Sequence, residues 1–405
     1  MTPTPNTPTY PVVRLKPGRE RPILSGHPWI FSGALQSIPP DLAPGAIVDA
    51  VSARDEFTAR GYLNAGNSLA LRVLSLDPAE AIDAAFFERR VREAASLRAA
   101  LARQDTNAYR LIHAEGDFLP GLVVDRYDRW LVAQIHTAGM EAQRDLAAAA
   151  LRRVVEPEGI LVRNDLGARG REGLPVGAPE VLWGGVPERV TIREAGVAYL
   201  VDPYHGQKTG FFLDQRDKRA RVAECAVGAR SLLNCFAYTG GFALAALAAN
   251  AALVTTNVDA SKSALELARA NFQLNGHDPD AHEFADEDVG AFLKARVEAG
   301  TTYDIVVVDP PAYAKSLESK NRALYGYEQL NALAGRVVAP GGFLLTCSCS
   351  GAVTMPEFEA AVHGALLRIR RRAQVVETFT VSLDHPTLLG FPEDRYLKAL
   401  LLRVL

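Results

Sequence analysis

The chain has 405 residues, too many for one ordinary core at roughly 100 to 200 residues per domain, so two or three domains are expected. Its 48% hydrophobic content can fill those cores, and a formal net charge of −3 gives no global signal of a polyanionic partner. No apolar run approaches the ~18 residues of a helical membrane span, and four cysteines (Cys225, Cys235, Cys347, Cys349) are too few for a disulfide framework. The start MTPTPNTPTY has neither a basic segment nor an apolar one, so residues 1–11 read as a flexible leader and a cytoplasmic location with free thiols is expected.

From Val12 onward, short β-type runs such as AIVDAV, RGYLNA and LALRVL alternate with Pro and Gly clusters, which predicts a small β-barrel or curled sheet over 12–78. Arg14, Lys16, Arg19 and Arg21 make its first segment basic. Residues 79–104 switch to helical periodicity, with Ile82, Phe86, Phe87, Val91, Ala94, Ala95 and Leu101 at steps of three and four. The arginines around it (Arg89, Arg90, Arg92, Arg98, Arg103, Arg110) read by default as a solvated face. Mixed apolar runs and an Ala-rich helix then predict an α+β domain over 79–197.

After residue 198 strand, turn and helix repeat: SLLNCF, ALVTTNVD, AHEFADE, YDIVVVDPP and GGFLLTCSCS are each followed by a helical segment. Five such repeats over 198–405 predict an α/β domain with a parallel sheet and a ligand crevice at the strand carboxyl ends.

The chemistry-bearing residues fall at those ends. The first strand runs into Ala237-Tyr238-Thr239-Gly240-Gly241, where glycines let the backbone approach a ligand or simply pack closely. Asp259 ends the second strand, where it can accept ribose hydroxyls or cap a helix, and Asp288 follows the third, where it can accept an adenine amino group or cap the next helix. In register on successive strands they predict a nucleoside cofactor. A dinucleotide would use the same helix N-terminus, but the fourth strand ends Asp309-Pro310-Pro311. Two prolines there remove amide donors and leave acceptors facing the crevice, which suits a nucleobase amino group and no dehydrogenase reaction.

On the fifth strand Cys347 and Cys349 share a face, Cys349 nearer the crevice. Buried inert thiols, a metal pair and a nucleophile compete as readings. The metal is disfavoured because no histidine lies nearby in sequence.

GHPWIFSGAL, LPGLVVDRY, HGQKTGFFLDQR, LNCFAYTGGFALAAL, DPPAYAKS, SCSG, and DHP with FPEDRYLK together resemble the ribosomal RNA large subunit methyltransferase I family, from about Val12 to the C-terminus. The resemblance implies an N-terminal PUA RNA-binding domain, a central α+β domain, and a Rossmann-like methyltransferase domain with a reversed last strand. It implies S-adenosyl-L-methionine as cofactor and C5 methylation of a cytosine in 23S rRNA or a large-subunit assembly intermediate; no metal, no membrane and a monomer or homodimer are expected. By the same resemblance Phe212, Asp214, Gln215 and Arg216 close over the cofactor. Phe236, Tyr238, Gly240, Gly241, Asp259, Asp288 and Asp309 line its pocket. Cys349 becomes the nucleophile assisted by Asp309, Cys347 a filler, and Arg14, Lys16, Arg19 and Arg21 phosphate contacts. An exocyclic-amine N-methyltransferase and a non-catalytic PUA-type assembly factor are the alternatives.

Overall fold

The computed structural model describes residues 9–101, 105–165, 167–314 and 317–405, so most of the expected leader and Arg103 lie outside the described residues. The chain forms two compact units. The first holds the residues up to Ile192 together with Val201–Leu213 and Leu383–Pro392; the second holds Arg193–Leu200, Asp214–Ser382 and Glu393–Leu405.

In the first unit six short strands make a mixed sheet in the order Trp29–Phe31, Leu69–Ser75, Phe57–Leu63, Ala46–Val51, Val12–Leu15, Leu35–Ser37. Alternating apolar positions such as Val13, Leu15, Val48, Ala50 and Leu71 face one core. A second sheet carries Ala108–His113, Leu122–Tyr127, Trp130–Ile135, Gly159–Val162 and Glu180–Gly184 in that order. The helix Ala84–Arg98 starts where Asp83 Oδ1 accepts the Phe86 amide at 3.0 Å, and its Phe86, Phe87 and Val91 join the core of that sheet.

Two arginines depart from the solvated face expected of them. Arg98 is fully buried and pairs bidentately with Asp117 at 2.6 and 2.7 Å, while Arg110 pairs with Asp125 at 2.6 and 3.0 Å. Arg110 lies on a strand, not on the helix. Long side chains can be buried when carboxylates meet their donors, which composition alone does not reveal.

The second unit is the predicted α/β domain. Its helices are α1 (Arg216–Cys225), α2 (Gly241–Ala249), α3 (Lys262–Leu274), α4 (Val289–Glu298), α5 (Lys320–Val337) and α6 (Met355–Arg368). Its strands are β1 (Ser231–Cys235), β2 (Val254–Asp259), β3 (Glu283–Asp286), β4 (Tyr303–Val308), β5 (Val338–Ser348), β6 (Ala373–Phe379) and β7 (Lys398–Val404), paired in the order β3-β2-β1-β4-β5-β7-β6. The first five are parallel, and β7 runs antiparallel to both β5 and β6. The order reverses beside β1, which puts the topological switch point at the end of that strand. Buried strand residues such as Leu233, Val306, Leu344 and Leu400 form the core with α4, α5 and α6.

Candidate active site

The turn after β1 is held in an uncommon backbone shape. Phe236, Tyr238 and Gly240 have φ of 58°, 47° and 80°, so left-handed residues recur at every second position. Such residues are costly unless their surroundings hold them, and they cluster at ligand-binding turns. Here Asp259 at the end of β2 does the holding: Oδ2 accepts the Tyr238 amide at 2.8 Å and Oδ1 accepts the Ser261 amide at 2.9 Å. A carboxylate has about four acceptor positions, so each Asp259 oxygen keeps one beyond these bonds. Ser261 caps α3, accepting from Ala264, which frees Asp259 from the cap role.

The two glycines of the turn serve different ends. Gly240 opens α2 in the left-handed region, whereas a Cβ on Gly241 would lie 3.2 Å from Arg219 Cδ. A side chain at Gly241 would require Arg219 to give by a few tenths of an ångström. Arg219 is itself locked to Glu194 at 2.6 and 2.8 Å. The first amides of α2 have no intrahelical acceptor and carry its positive dipole end.

Asp288 is exposed and N-caps α4, accepting the Ala291 amide through Oδ1 at 2.9 Å. β3 ends at Asp286, two residues before it.

The segment at the start of α1 lies in the same unit. Asp214 is buried; its Oδ2 accepts the Tyr396 hydroxyl at 2.6 Å, and its carbonyl accepts Lys218 Nζ at 2.7 Å. Gln215 is also buried, and among the described residues its Oε1 has no hydrogen-bond partner. A buried amide oxygen without a partner is costly unless a ligand supplies the donor. Arg216 lies 3.7 Å from Glu194. Phe212 belongs to the first unit, where the Lys208 ammonium stands 4.5 Å from its ring centre.

The ends of β4 and β5 bring the remaining residues together. Cys349 is half-buried, with Sγ 3.8 Å from the Pro310 carbonyl, so the thiol sits against the Asp309-Pro310-Pro311 turn. Cys347 is fully buried, and that burial, reinforced by the Asp309 carboxylate, pushes its thiol well above the ordinary range. A thiol so placed is inert at neutral pH. The buried Lys218 faces the same corner: burial pushes its ammonium down, while Cys347, Asp214, Asp217 and Asp309 act in the opposite sense.

Three residues around Cys349 are not among the expected site residues. Ser350 Oγ accepts the Ala314 amide at 3.0 Å and hydrogen-bonds the Tyr327 hydroxyl at 2.8 Å, and Lys398 Nζ binds the Ser350 carbonyl at 2.7 Å. Lys398 stands in the FPEDRYLK segment, which is the signal that could have marked it. Lys315 and Ser316 of DPPAYAKS lie outside the described residues.

On the first unit, Arg14 pairs with Asp55, Lys16 Nζ binds the Gly33 carbonyl at 2.9 Å, and Arg19 and Arg21 are exposed. Among the described residues no cluster of three His, Cys, Asp or Glu side chains could hold a metal, and no helix is long and apolar enough to cross a membrane.

Comparison with known proteins gives this geometry a family. Residues 110–391 match a family model described as S-adenosylmethionine-dependent methyltransferase, and residues 13–76 match a PUA-like domain. The chain is 39% identical over 397 residues to a ribosomal RNA large subunit methyltransferase I of Klebsiella pneumoniae (strain 342), covering 98% of this chain and 99% of that one. It is 38% identical over 399 residues to a protein of the same name from Salmonella arizonae, covering 98% of each. Among solved structures, SMU.776, solved in complex with SAH, superposes with a TM-score of 0.82 at 24% identity, covering 97% of this chain and 99% of that one. A second solved structure, from Streptococcus mutans, gives 0.81 at 23%, covering 97% and 100%. At those identities the superpositions speak to the fold.

Proposed function

Because the chain belongs to the S-adenosylmethionine-dependent methyltransferase family of ribosomal RNA large subunit methyltransferase I, we propose that it forms 5-methylcytosine in 23S rRNA, with Cys349 as nucleophile. The observation that carries this reading is the half-buried Cys349 thiol lying 3.8 Å from the carbonyl of the Asp-Pro-Pro turn, beside a second thiol that burial makes inert.

The residues present fit the cofactor. Asp259 keeps acceptor positions for ribose hydroxyls, the α2 N-terminus and the left-handed turn offer amides, and Gln215 Oε1 is a buried acceptor with no donor among the described residues. Asp214 and Arg216 flank Gln215, and Phe236, Tyr238 and Asp288 complete the expected lining. Bound S-adenosylmethionine supplies an electrophilic methyl group.

Cytosine C5 is too weak a nucleophile to take that group unaided. The Cys349 thiolate adds at C6, forming an S–C6 bond and moving the C5=C6 electron pair to C5. C5 would take the methyl group, leaving the cofactor as S-adenosylhomocysteine, and loss of the C5 proton to water with cleavage of the S–C6 bond would restore the ring and return the thiolate. Asp309 accepts from the exocyclic amine edge as charge shifts in the ring, a fixed acceptor in place of mobile water. The target base must leave any stack to meet the thiol, so the RNA is single-stranded or flipped. Arg14, Lys16, Arg19 and Arg21 of the PUA-like domain contact phosphate in this reading.

RNA carrying 5-fluorocytidine cannot lose its C5 substituent as a proton, so it should trap a cofactor-dependent covalent adduct visible on a denaturing gel. An adduct that persists in Cys349→Ala would sink the assignment. Mass-spectrometric mapping of 23S rRNA with and without the gene then locates the base.

The cofactor turn has its own test. Gly240→Ala puts a Cβ into the left-handed region and 3.2 Å from Phe272 Cε2. A loss of about 1–2 kcal/mol is expected, read as a lower melting temperature and weaker SAH binding by calorimetry.

A further inference from the structure

Lys398 opens β7 opposite Ser348 of β5 and is only 3% exposed. Its Nζ makes three hydrogen bonds, each 2.7 Å, to the carbonyl oxygens of Ser350, Val353 and Tyr396. An ammonium has three donors, so all are used, and all on neutral acceptors. Among the described residues no carboxylate lies within ion-pair distance of it, so its hydrogen bonds alone hold it in place. Such a charge is costly to desolvate and is retained where it is used.

Among the described residues two negative groups act on Lys398. From the loop after β5 comes Cys349, whose anionic form favours the ammonium most, and from α6 comes Glu357, which is paired with Lys320. Burial nevertheless pushes the Lys398 ammonium down to about 8. Cys349 in turn acts on Tyr327 of α5 and on Cys347 of β5, and Asp309 of β4 acts on Cys347. Among the described residues Lys398 is a cation that acts on Cys349, and two of its three bonds grip the turn that begins one residue after that thiol.

We infer that Lys398 is a positioning residue for Cys349: its ammonium draws in the Ser350–Val353 turn and sets a fixed positive charge beside the thiolate. The inference rests on the nucleophile reading of Cys349. Below about pH 8 the ammonium keeps its proton and favours the thiolate; above it both effects fade together.

Alkylation of the full chain by iodoacetamide, followed peptide by peptide from pH 6 to 10, tests this directly. The thiolate displaces iodide and forms an S–C bond, so the rate reports the thiolate population. In the wild type the Cys349 midpoint is expected below the ordinary free-thiol value of ~8.5. Lys398→Gln, which keeps donors but loses the charge, should slow Cys349 alkylation at pH 7 about tenfold and raise its midpoint, while Lys398→Arg should stay within about threefold of wild type. A Lys398→Gln profile equal to wild type overturns the inference. If that variant does not fold, a wild-type midpoint at or above the ordinary value overturns it as well. Full methyl transfer by Cys349→Ala would instead refute the nucleophile reading and leave the thiol titration standing.

Discussion

Cys349→Ala is expected to lower the turnover of methyl transfer by at least about a thousandfold, as removal of a covalent nucleophile does elsewhere. Binding of SAH should stay unchanged, because the proposed cofactor contacts lie at residues 214–216 and after β1, β2 and β3, away from that thiol in sequence. Cys347→Ala is the paired control. That thiol is fully buried and far from its reactive form, so its removal should leave turnover within a few fold. The small void left behind costs about 1 kcal/mol and shows as a lower melting temperature. Both are read with radiolabelled methyl donor and 23S rRNA fragments. If Cys349→Ala kept full activity, the exocyclic-amine alternative would take its place, since a direct attack by an amine needs no thiol.

The strand ends were legible because parallel strands buried on both faces read as continuous apolar runs, and a turn follows each of them. Asp259 and Cys349 fall where such reasoning puts them. β7 is harder to see: it is an apolar run, KALLLRV, opened by a lysine, and lysine is almost never buried. Nothing local says that carbonyls at Ser350 and Val353, more than forty residues away in sequence, will satisfy it. Asp288 shows the opposite limit. A carboxylate just before a helix can cap it, and the bond to Ala291 does so here. Arg98 and Arg110 fail as surface charges for the reason Lys398 does. Their partners, Asp117, Asp125 and Asp384, are brought up by tertiary packing, one of them from the far end of the chain.

The buried pair of Arg98 and Asp117 predicts the largest loss of stability in the first unit. All five guanidinium donors find acceptors: Asp117 takes two, and the carbonyls of Ala94, Arg110 and Asp384 take one each, between 2.6 and 3.2 Å. Asp117 Oδ2 also accepts the His113 amide at 2.6 Å, so the carboxylate is fixed from both sides. Arg98→Met keeps the bulk but leaves that buried carboxylate without its cation and takes one donor from each of three carbonyls. About 3–5 kcal/mol should be lost. The chain has three tryptophans, Trp29, Trp130 and Trp183, and all belong to the first unit, so tryptophan fluorescence in urea follows its unfolding without interference from the other. In Arg98→Met/Asp117→Asn the unpaired charge is gone while an acceptor for His113 remains. The double variant should therefore be more stable than the sum of the single changes predicts, with a coupling of about 1–3 kcal/mol. Strict additivity would mean that the guanidinium contributes through its packing alone.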